Sequence, residues 1–189
     1  MQKNFKVLFV IFYLLVSVIQ LSGQSLIINE FMSDNQSTIH DYDGDYSDWI
    51  EIYNYGDFPI NLRRFNLTDD FNDYGKWKFP EIIIQPHSFI LVFASGKDVS
   101  NIDQLHTNFK IDKAGEKLIL CSNNYKVLSV IEPVELLTDQ SYGSINDGSS
   151  ILVSFDSPTP GLSNAGSNNI HCSSPSGFYP HQINVILTL

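Results

Sequence analysis

Short apolar or alternating runs, separated by turn signals, constrain the fold of this chain more than any other feature. Each run is four to eight residues long and rich in Ile, Val, Phe or Tyr, which is typical of β-strands. The runs predict strands at residues 26–32, 49–55, 66–69, 76–79, 88–94, 116–122 and 126–132. Turn signals such as Gln85-Pro86 and Asn123-Asn124 lie between them.

No segment shows a helical period over more than two turns, and residues 100–105 are expected to form one helical turn at most. Many short strands without intervening helices predict an all-β sandwich or barrel rather than a parallel α/β sheet. Within the second run, two-residue alternation places Ile50 and Ile52 on one face and Glu51 on the other. We expect the isoleucines to face the core.

The N-terminus has the three parts of a secretory signal peptide. Lys3 and Lys6 precede an apolar run at residues 7–19, and small residues follow up to Gly23. The run is shorter than the roughly 20 residues that a membrane span requires. The sequence therefore predicts a signal peptide at residues 1–23, cleavage near Gly23, a secreted or cell-surface protein, and no stable membrane insertion after cleavage.

The chain is acidic, with a formal net charge of −10. Cleavage near Gly23 would remove two of 11 basic residues and none of 21 acidic ones, which leaves −12. Nucleic-acid binding draws on Lys and Arg to neutralise phosphates, and no basic stripe exists beyond Arg63-Arg64. Nucleic acid is therefore not expected as a partner. The acidity fits divalent cations or cationic surfaces, and it also fits simple solubility of an exported protein.

Eleven short motifs follow one another in order over about 140 residues. They include Ile28-Asn-Glu-Phe-Met32 in the first predicted strand, Ser47-Asp-Trp-Ile-Glu-Ile-Tyr-Asn54 at the second, and Pro158-Thr-Pro-Gly-Leu-Ser-Asn164 at the end. In this order they resemble the lamin tail domain of exported bacterial proteins. The resemblance implies an immunoglobulin-like β-sandwich that serves in interaction or attachment and has no catalytic constellation. Ser144 departs from the family's pattern, where arginine is common.

The composition divides the chain into further parts. The sandwich is expected at residues 24–164, and a Gly/Ser/Asn-rich linker at residues 165–172. Residues 173–189 resemble the opening of the small β domain at the C-terminus of chitobiases and β-hexosaminidases. Because one strand cannot fold alone, we expect a second β module that begins here and continues in a longer protein.

An acidic turn precedes the second predicted strand and is the one candidate metal site. Its aspartates are Asp41, Asp43, Asp45 and Asp48. Calcium prefers six to eight oxygen ligands, and carboxylates at alternate positions could supply several of them. The EF-hand pattern does not fit, because Tyr46 stands where glycine is required and Ile52 where glutamate is required. The alternative is a solvated turn in which Asp48 accepts backbone hydrogen bonds.

Polar residues inside the first two strands offer a second candidate site. They are Asn29, Glu30, Glu51 and Asn54. A buried carboxylate pair would have a raised pKa suited to acid–base chemistry, whereas cross-strand polar pairs also stabilise sheets, and we favour this structural role. No zinc-binding or nucleophile motif is present, so neither a catalytic site nor a cofactor other than calcium is expected.

Two cysteines complete the candidate groups. A bridge between Cys121 and Cys172 and two unpaired thiols are both compatible with the sequence, because export permits a disulfide but spacing does not establish proximity.

Together these features predict a secreted, non-catalytic module that binds a protein or cell-surface ligand within a larger exported protein. One alternative is an accessory module of an exported hydrolase, nuclease or spore-coat kinase-like enzyme whose catalytic domain lies beyond residue 189. The other is a calcium-dependent adhesin.

Overall fold

The computed structural model of the 189-residue chain describes residues 25–101, 103–165, 171–172 and 187–188. The predicted signal peptide and most of the predicted second β module lie outside these residues. Across the described ranges the chain is all-β, with no α-helix and one short 3-10 turn at Leu62–Arg64. No helix among the described residues is long and apolar enough to cross a membrane.

The strands follow one another closely along the chain. The first seven are β1 (Leu26–Met32), β2 (Trp49–Asn54), β3 (Ile60–Asn61), β4 (Phe65–Thr68), β5 (Trp77–Lys78), β6 (Ile83–Ile84) and β7 (Phe89–Phe93). The next six are β8 (Val99–Asn101), β9 (Gln104–His106), β10 (Leu118–Ser122), β11 (Val127–Ile131), β12 (Ser141–Ser144) and β13 (Leu152–Phe155). A separate backbone pair joins β14 (His171–Cys172) to β15 (Leu187–Thr188).

Two main sheets form an immunoglobulin-like sandwich. The large sheet has the order β13-β12-β1-β2-β7-β9-β8, and the small sheet has the order β11-β10-β4-β5. Pairing is antiparallel except between β7 and β9, and β3 pairs with β6 outside the two main sheets. The all-β sandwich predicted from the sequence is thereby confirmed.

The core lies between the two sheets and draws on both. Ile50 and Ile52 of β2 share one buried cluster with Leu67 of β4 and Leu118 and Leu120 of β10. The inward orientation predicted for the two isoleucines is confirmed. Burying each such side chain contributes roughly 1.5–3 kcal/mol, so the facing apolar rows hold the sheets together.

A β-bulge in β1 shapes the outer face of the large sheet. The pairing with β2 shifts register between Ile28, which faces Ile52, and Glu30, which faces Glu51. Asn29 is the extra residue, and a bulge of this kind re-aims the side chains beside it. Ile28 and Phe31 therefore both reach the core, while Asn29 and Glu30 meet Glu51 in one polar network.

All seven strand predictions are confirmed, the first without change and the others with boundaries that agree to within two residues. Residues 100–105 were expected to form one helical turn at most, and the described residues of this stretch form strands instead. The structure has the antiparallel pair β8 and β9 here, with Ser100 opposite Leu105. β9 also pairs with β7, and this neighbour supplies hydrogen bonds that no local helical preference could outweigh.

Candidate functional site

The acidic turn between β1 and β2 wraps around one buried carboxylate. Asp41 is 1% exposed, and its Oδ1 accepts hydrogen bonds from the backbone N–H groups of Asp43 and Asp45, each at 3.0 Å. The Gly44 N–H donates to the Asp41 carbonyl at 3.0 Å, and Gly44 has a φ of +85°, a conformation that favours glycine. The turn therefore holds three carboxylates at one point of the surface.

Lys97, which follows β7, supplies the positive charge at this point. Its Nζ lies 2.6 Å from Asp41 Oδ2, 2.7 Å from Asp43 Oδ2 and 2.8 Å from Asp45 Oδ2. Desolvation opposes the charged form of Lys97, but hydrogen bonds to the three aspartates outweigh it and raise the pKa of the ammonium group. At Asp41 desolvation is the largest single effect, but the hydrogen bond and charge of Lys97 and the backbone hydrogen bonds from Asp45 and Asp43 together outweigh it and lower the pKa of its carboxyl.

Three of the four aspartates predicted to bind calcium are brought together. Oxygens of Asp41, Asp43 and Asp45 lie within 4.8 Å of one another, which is close enough for a shared hard cation. Asp48 is not in this group. Its Oδ1 accepts a hydrogen bond from the backbone N–H of Asn35 at 3.2 Å, and burial raises its pKa to about 6. Since the Lys97 ammonium group contacts the same three carboxylates, a metal ion would have to displace it.

A hydrogen-bonded chain of side chains continues from Lys97 into the sheet. The Lys97 N–H donates to Ser95 Oγ at 3.1 Å, and Ser95 Oγ lies 2.9 Å from His106 Nδ1. His106 Nε2 lies 3.1 Å from Gln104 Oε1, which also accepts from the Tyr42 N–H at 2.9 Å. Because an amide oxygen only accepts, Nε2 carries the proton and Nδ1 accepts from the Ser95 hydroxyl.

The sequence did not indicate a serine–histidine pair. Ser95 and His106 are brought together by the parallel pairing of β7 with β9, and this pairing leaves no local signal in the sequence. His106 is 3% exposed and stacks on Phe93 with ring centroids 5.4 Å apart, and no carboxylate of the described residues is hydrogen-bonded to its ring. Burial also lowers its pKa. These features favour a structural tie between the acidic turn and the sheet over nucleophilic catalysis.

The second polar group lies on the outer face of the large sheet. Glu30 and Glu51 face each other across β1 and β2, and both have 0% exposure. Glu51 Oε1 accepts from Asn29 Nδ2 at 3.0 Å, while the Ser141 hydroxyl of β12 donates to Glu30 Oε1. Burial raises the pKa of Glu51 to about 8 and also raises the pKa of Glu30.

Residues 158–164, which we call the closing segment, return from β13 and cover this carboxylate pair. Thr159 donates to Glu30 Oε2 from Oγ1 at 2.7 Å and to Glu30 Oε1 from its N–H at 3.1 Å. The Gly161 N–H donates to Glu51 Oε2 at 2.6 Å. Asp147 binds the end of the segment by accepting from the Asn164 N–H at 2.9 Å.

This arrangement gives the two glutamates a structural role. Both are shielded from solvent, and their oxygens already accept donors from β1, β12 and the closing segment, so no substrate can reach them. Asn54, grouped with them from the sequence, is not part of the network. Its Nδ2 donates to the carbonyls of Phe58 at 2.8 Å and Gln85 at 3.1 Å, because β2 alternation places it on the opposite face.

Cys121 is a free, fully buried thiol that donates to the Tyr74 carbonyl at 3.2 Å. The side chain of Cys172 is not among those that the structure describes, so a bridge between Cys121 and Cys172 stays a prediction. Ser144, the departure from the family pattern, donates from Oγ to the Ser149 carbonyl at 2.8 Å, so it closes the turn between β12 and β13.

Exposed aromatic side chains occur on several loops, including those of Tyr42 and Phe58, and two of these loops neighbour each other on the small sheet. Phe71, between β4 and β5, is 64% exposed, and Tyr125, between β10 and β11, is 62% exposed. Tyr74 joins the two loops, with its ring centroid 6.3 Å from that of Tyr125. We call Phe71, Tyr74 and Tyr125 the aromatic patch. Aromatic rings supply large contact area at protein interfaces, so the patch is a candidate contact surface.

Comparison with known protein families identifies a family for this chain. The model of the Lamin Tail Domain family matches residues 20–135, more than half of the chain. No curated protein sequence matches it. The matched range contains β1 to β11, whereas β12, which pairs with β1, lies after it.

Proposed function

The chain belongs to the lamin tail domain family, and from this premise we propose that it is a secreted, non-catalytic module that binds a protein or cell-surface ligand within a larger exported protein. The family's modules are immunoglobulin-like and non-catalytic, which supports the proposed non-catalytic role. Secretion is supported by the signal-peptide pattern at residues 1–23. A second β module from residue 173 is also part of this proposal.

The observation that carries the binding role is the contrast between buried ionisable groups and exposed aromatic ones. Glu30, Glu51 and His106 are buried, and their hydrogen bonds stabilise the fold. Phe71 and Tyr125 instead expose more than half of their surface, at a cost in apolar hydration that a binding partner would remove. We therefore assign the aromatic patch to ligand contact.

The test measures binding of the labelled full chain to intact cells and to the secreted proteins of the organism that produces it. The variant Phe71→Ser/Tyr125→Ser should lose most of this binding and keep the wild-type circular dichroism spectrum. Leu137→Ser is the matched control, because Leu137 is 71% exposed and lies outside the patch. Absence of wild-type binding, or equal binding by the patch variant, would contradict the proposal.

Calcium-dependent adhesion is the second candidate, favoured by the oxygens of Asp41, Asp43 and Asp45 within 4.8 Å of one another. Under this hypothesis calcium displaces the Lys97 ammonium group from the acidic turn and changes the loop surface around the exposed Tyr42. Adding millimolar calcium to the same binding assay separates the candidates, since only the adhesin requires it.

A further inference from the structure

The edges of the two main sheets differ in how they are protected against pairing with another strand. Edge strands expose backbone N–H and C=O groups that can bind a further strand, and charges or short length normally prevent this. β8 stands between Asp98 and Asp103, and β5 has two residues, one of them Lys78. β11 lies against β1, where the Ile28 N–H donates to Ser129 Oγ at 3.2 Å.

β13, the remaining edge, is four residues long and has an adjacent charge only at its C-terminal end, Asp156, whereas β8 has an aspartate beyond each end. Residues 149–155 contain no charged side chain and no proline, and Ile151 is 62% exposed. Within the described part of the chain, β13 pairs with β12 on one side and with no strand on the other.

The register with β12 shows which backbone groups face outward. The Ile145 N–H donates to the Ile151 carbonyl at 2.9 Å, so this pair is hydrogen-bonded. Hydrogen-bonded pairs alternate along an antiparallel ladder, and Val153 opposite Gly143 is therefore hydrogen-bonded as well. The N–H and C=O groups of Leu152 and Ser154 consequently point away from β12.

We propose that β13 is a self-association edge at which two copies of the chain pair in antiparallel fashion about a two-fold axis at Val153. In this register Leu152 of one copy lies opposite Ser154 of the other, and their outward N–H and C=O groups bond to each other. Val153 lies opposite its own counterpart, and the exposed Ile151 lies opposite Phe155, whose own side chain is buried. The same residues meet on both sides, as a two-fold interface requires.

Charge favours this edge and this register. The chain carries a net charge of −10, so two copies repel each other wherever acidic surfaces meet. Pairing about Val153 places Asp156 opposite Ser150 of the other copy. The two Asp156 side chains are then about 20 Å apart along the strands, about twice the Debye length at physiological salt. This inference concerns a partner of the same sequence and does not rest on the proposed ligand-binding role.

The test is analytical ultracentrifugation of the full chain from low micromolar to several hundred micromolar concentration. The wild type should shift from the monomer mass to twice that mass. Val153→Lys places like charges opposite each other, and Ser154→Pro removes an outward N–H that β12 does not use, so each should weaken association by about tenfold or more. Val99→Lys on β8, where Val99 is 39% exposed, is the matched control and should associate as the wild type does.

Three results would overturn the inference: a wild type that stays monomeric, β13 variants that associate like the wild type, or loss of association in Val99→Lys. Hydrogen exchange adds a separate readout, because the Leu152 and Ser154 amides should become protected only as concentration rises. Protection of these amides in the monomer would mean that another segment of the same chain covers β13, which also contradicts self-association.

Discussion

Glu30 and Glu51 lie directly opposite each other on adjacent strands, and neither carboxylate is exposed to solvent. Two such groups cannot both ionise without cost, because burial disfavours the charged form and each charge repels the other. The closing segment offsets part of this cost with the hydrogen bonds of Thr159 and Gly161. The pair therefore links the stability of the domain to pH.

Stability should fall on the alkaline side of a maximum near pH 5. The folded pKa of Glu51 is about 8, above its ordinary value of 4.5, so its favourable contribution is complete below pH 4.5 and is lost as pH rises through 8. The loss is on the order of 5 kcal/mol at most. Asp48, with a folded pKa of about 6, adds to the lower part of this decline.

Below the pH of maximum stability, the dependence of stability on pH has the opposite sign. The pKa values of Asp34, Asp41 and Asp139 are lowered in the folded state, so their contributions are present above pH 3.8 and are lost on acidification. Urea unfolding across pH 3–10 measures both the acidic and the alkaline loss of stability. Glu51→Gln should remove most of the decline between pH 6 and 8, with a remainder from Glu30, whose pKa is also raised, and an unchanged decline in this variant would exclude Glu51 as its source.

Thr159→Val should destabilise the domain by about 1–3 kcal/mol, because it removes the Oγ1 donor from the buried Glu30 carboxylate without a change in shape. Thr138→Val is the matched control, since its hydroxyl donates to Asp34 at an exposed site and its loss should cost less. Urea unfolding at pH 7 measures both. Equal costs would mean that burial of Glu30 does not increase the contribution of this hydrogen bond to stability.

Gly143→Ala should destabilise the large sheet by about 1–3 kcal/mol or prevent folding, because a Cβ there would lie 2.2 Å from the Asn29 carbonyl oxygen at the bulge. Gly75→Ala serves as the control, since its Cβ would meet only ordinary contacts at 3.6 Å and beyond. Thermal unfolding followed by circular dichroism compares the two. A Gly143→Ala protein as stable as the wild type would contradict the close approach of β12 to the bulge.

If the acidic turn binds calcium, millimolar calcium should raise the melting temperature of the wild type, since a ligand that binds only the folded state stabilises it. Asp43→Ala/Asp45→Ala should abolish the increase, and Lys97→Met should enlarge it by removing the competing ammonium group. Calorimetry with magnesium as the comparison ion makes the measurement. No response in either the wild type or Lys97→Met would refute the calcium hypothesis.

If the chain is exported as proposed, the mature protein should begin near residue 24. Expression of the gene in its own host, followed by fractionation and N-terminal sequencing, tests this directly. A Val10→Asp/Leu14→Asp variant interrupts the apolar run and should keep the chain inside the cell. A full-length N-terminus on exported protein would contradict cleavage at Gly23.

Much of the candidate site could not be read from the sequence, although parts of it could. The spacing of Asp41, Asp43 and Asp45 correctly indicated that their carboxylates converge, since a short turn brings neighbouring residues together. Their partner Lys97 stands 56 residues beyond Asp41 and carries no local sign of this pairing. Asp48 was grouped with them by proximity in sequence, yet it bonds to Asn35 instead.

The sequence by itself determined the fold class and the strands with long alternating patterns, because alternation depends only on how a strand exposes one face. Six strands of two to four residues were not predicted, although β4 and β5 of similar length were, and pairing with their neighbours makes these short segments extended: β3, β6, β8, β9, β12 and β13. The tertiary structure alone decided that Glu30 and Glu51 lie beneath the closing segment. Their environment depends on a bulge and on residues more than 100 positions away, and burial, which sets their pKa values, is a property of the packed molecule.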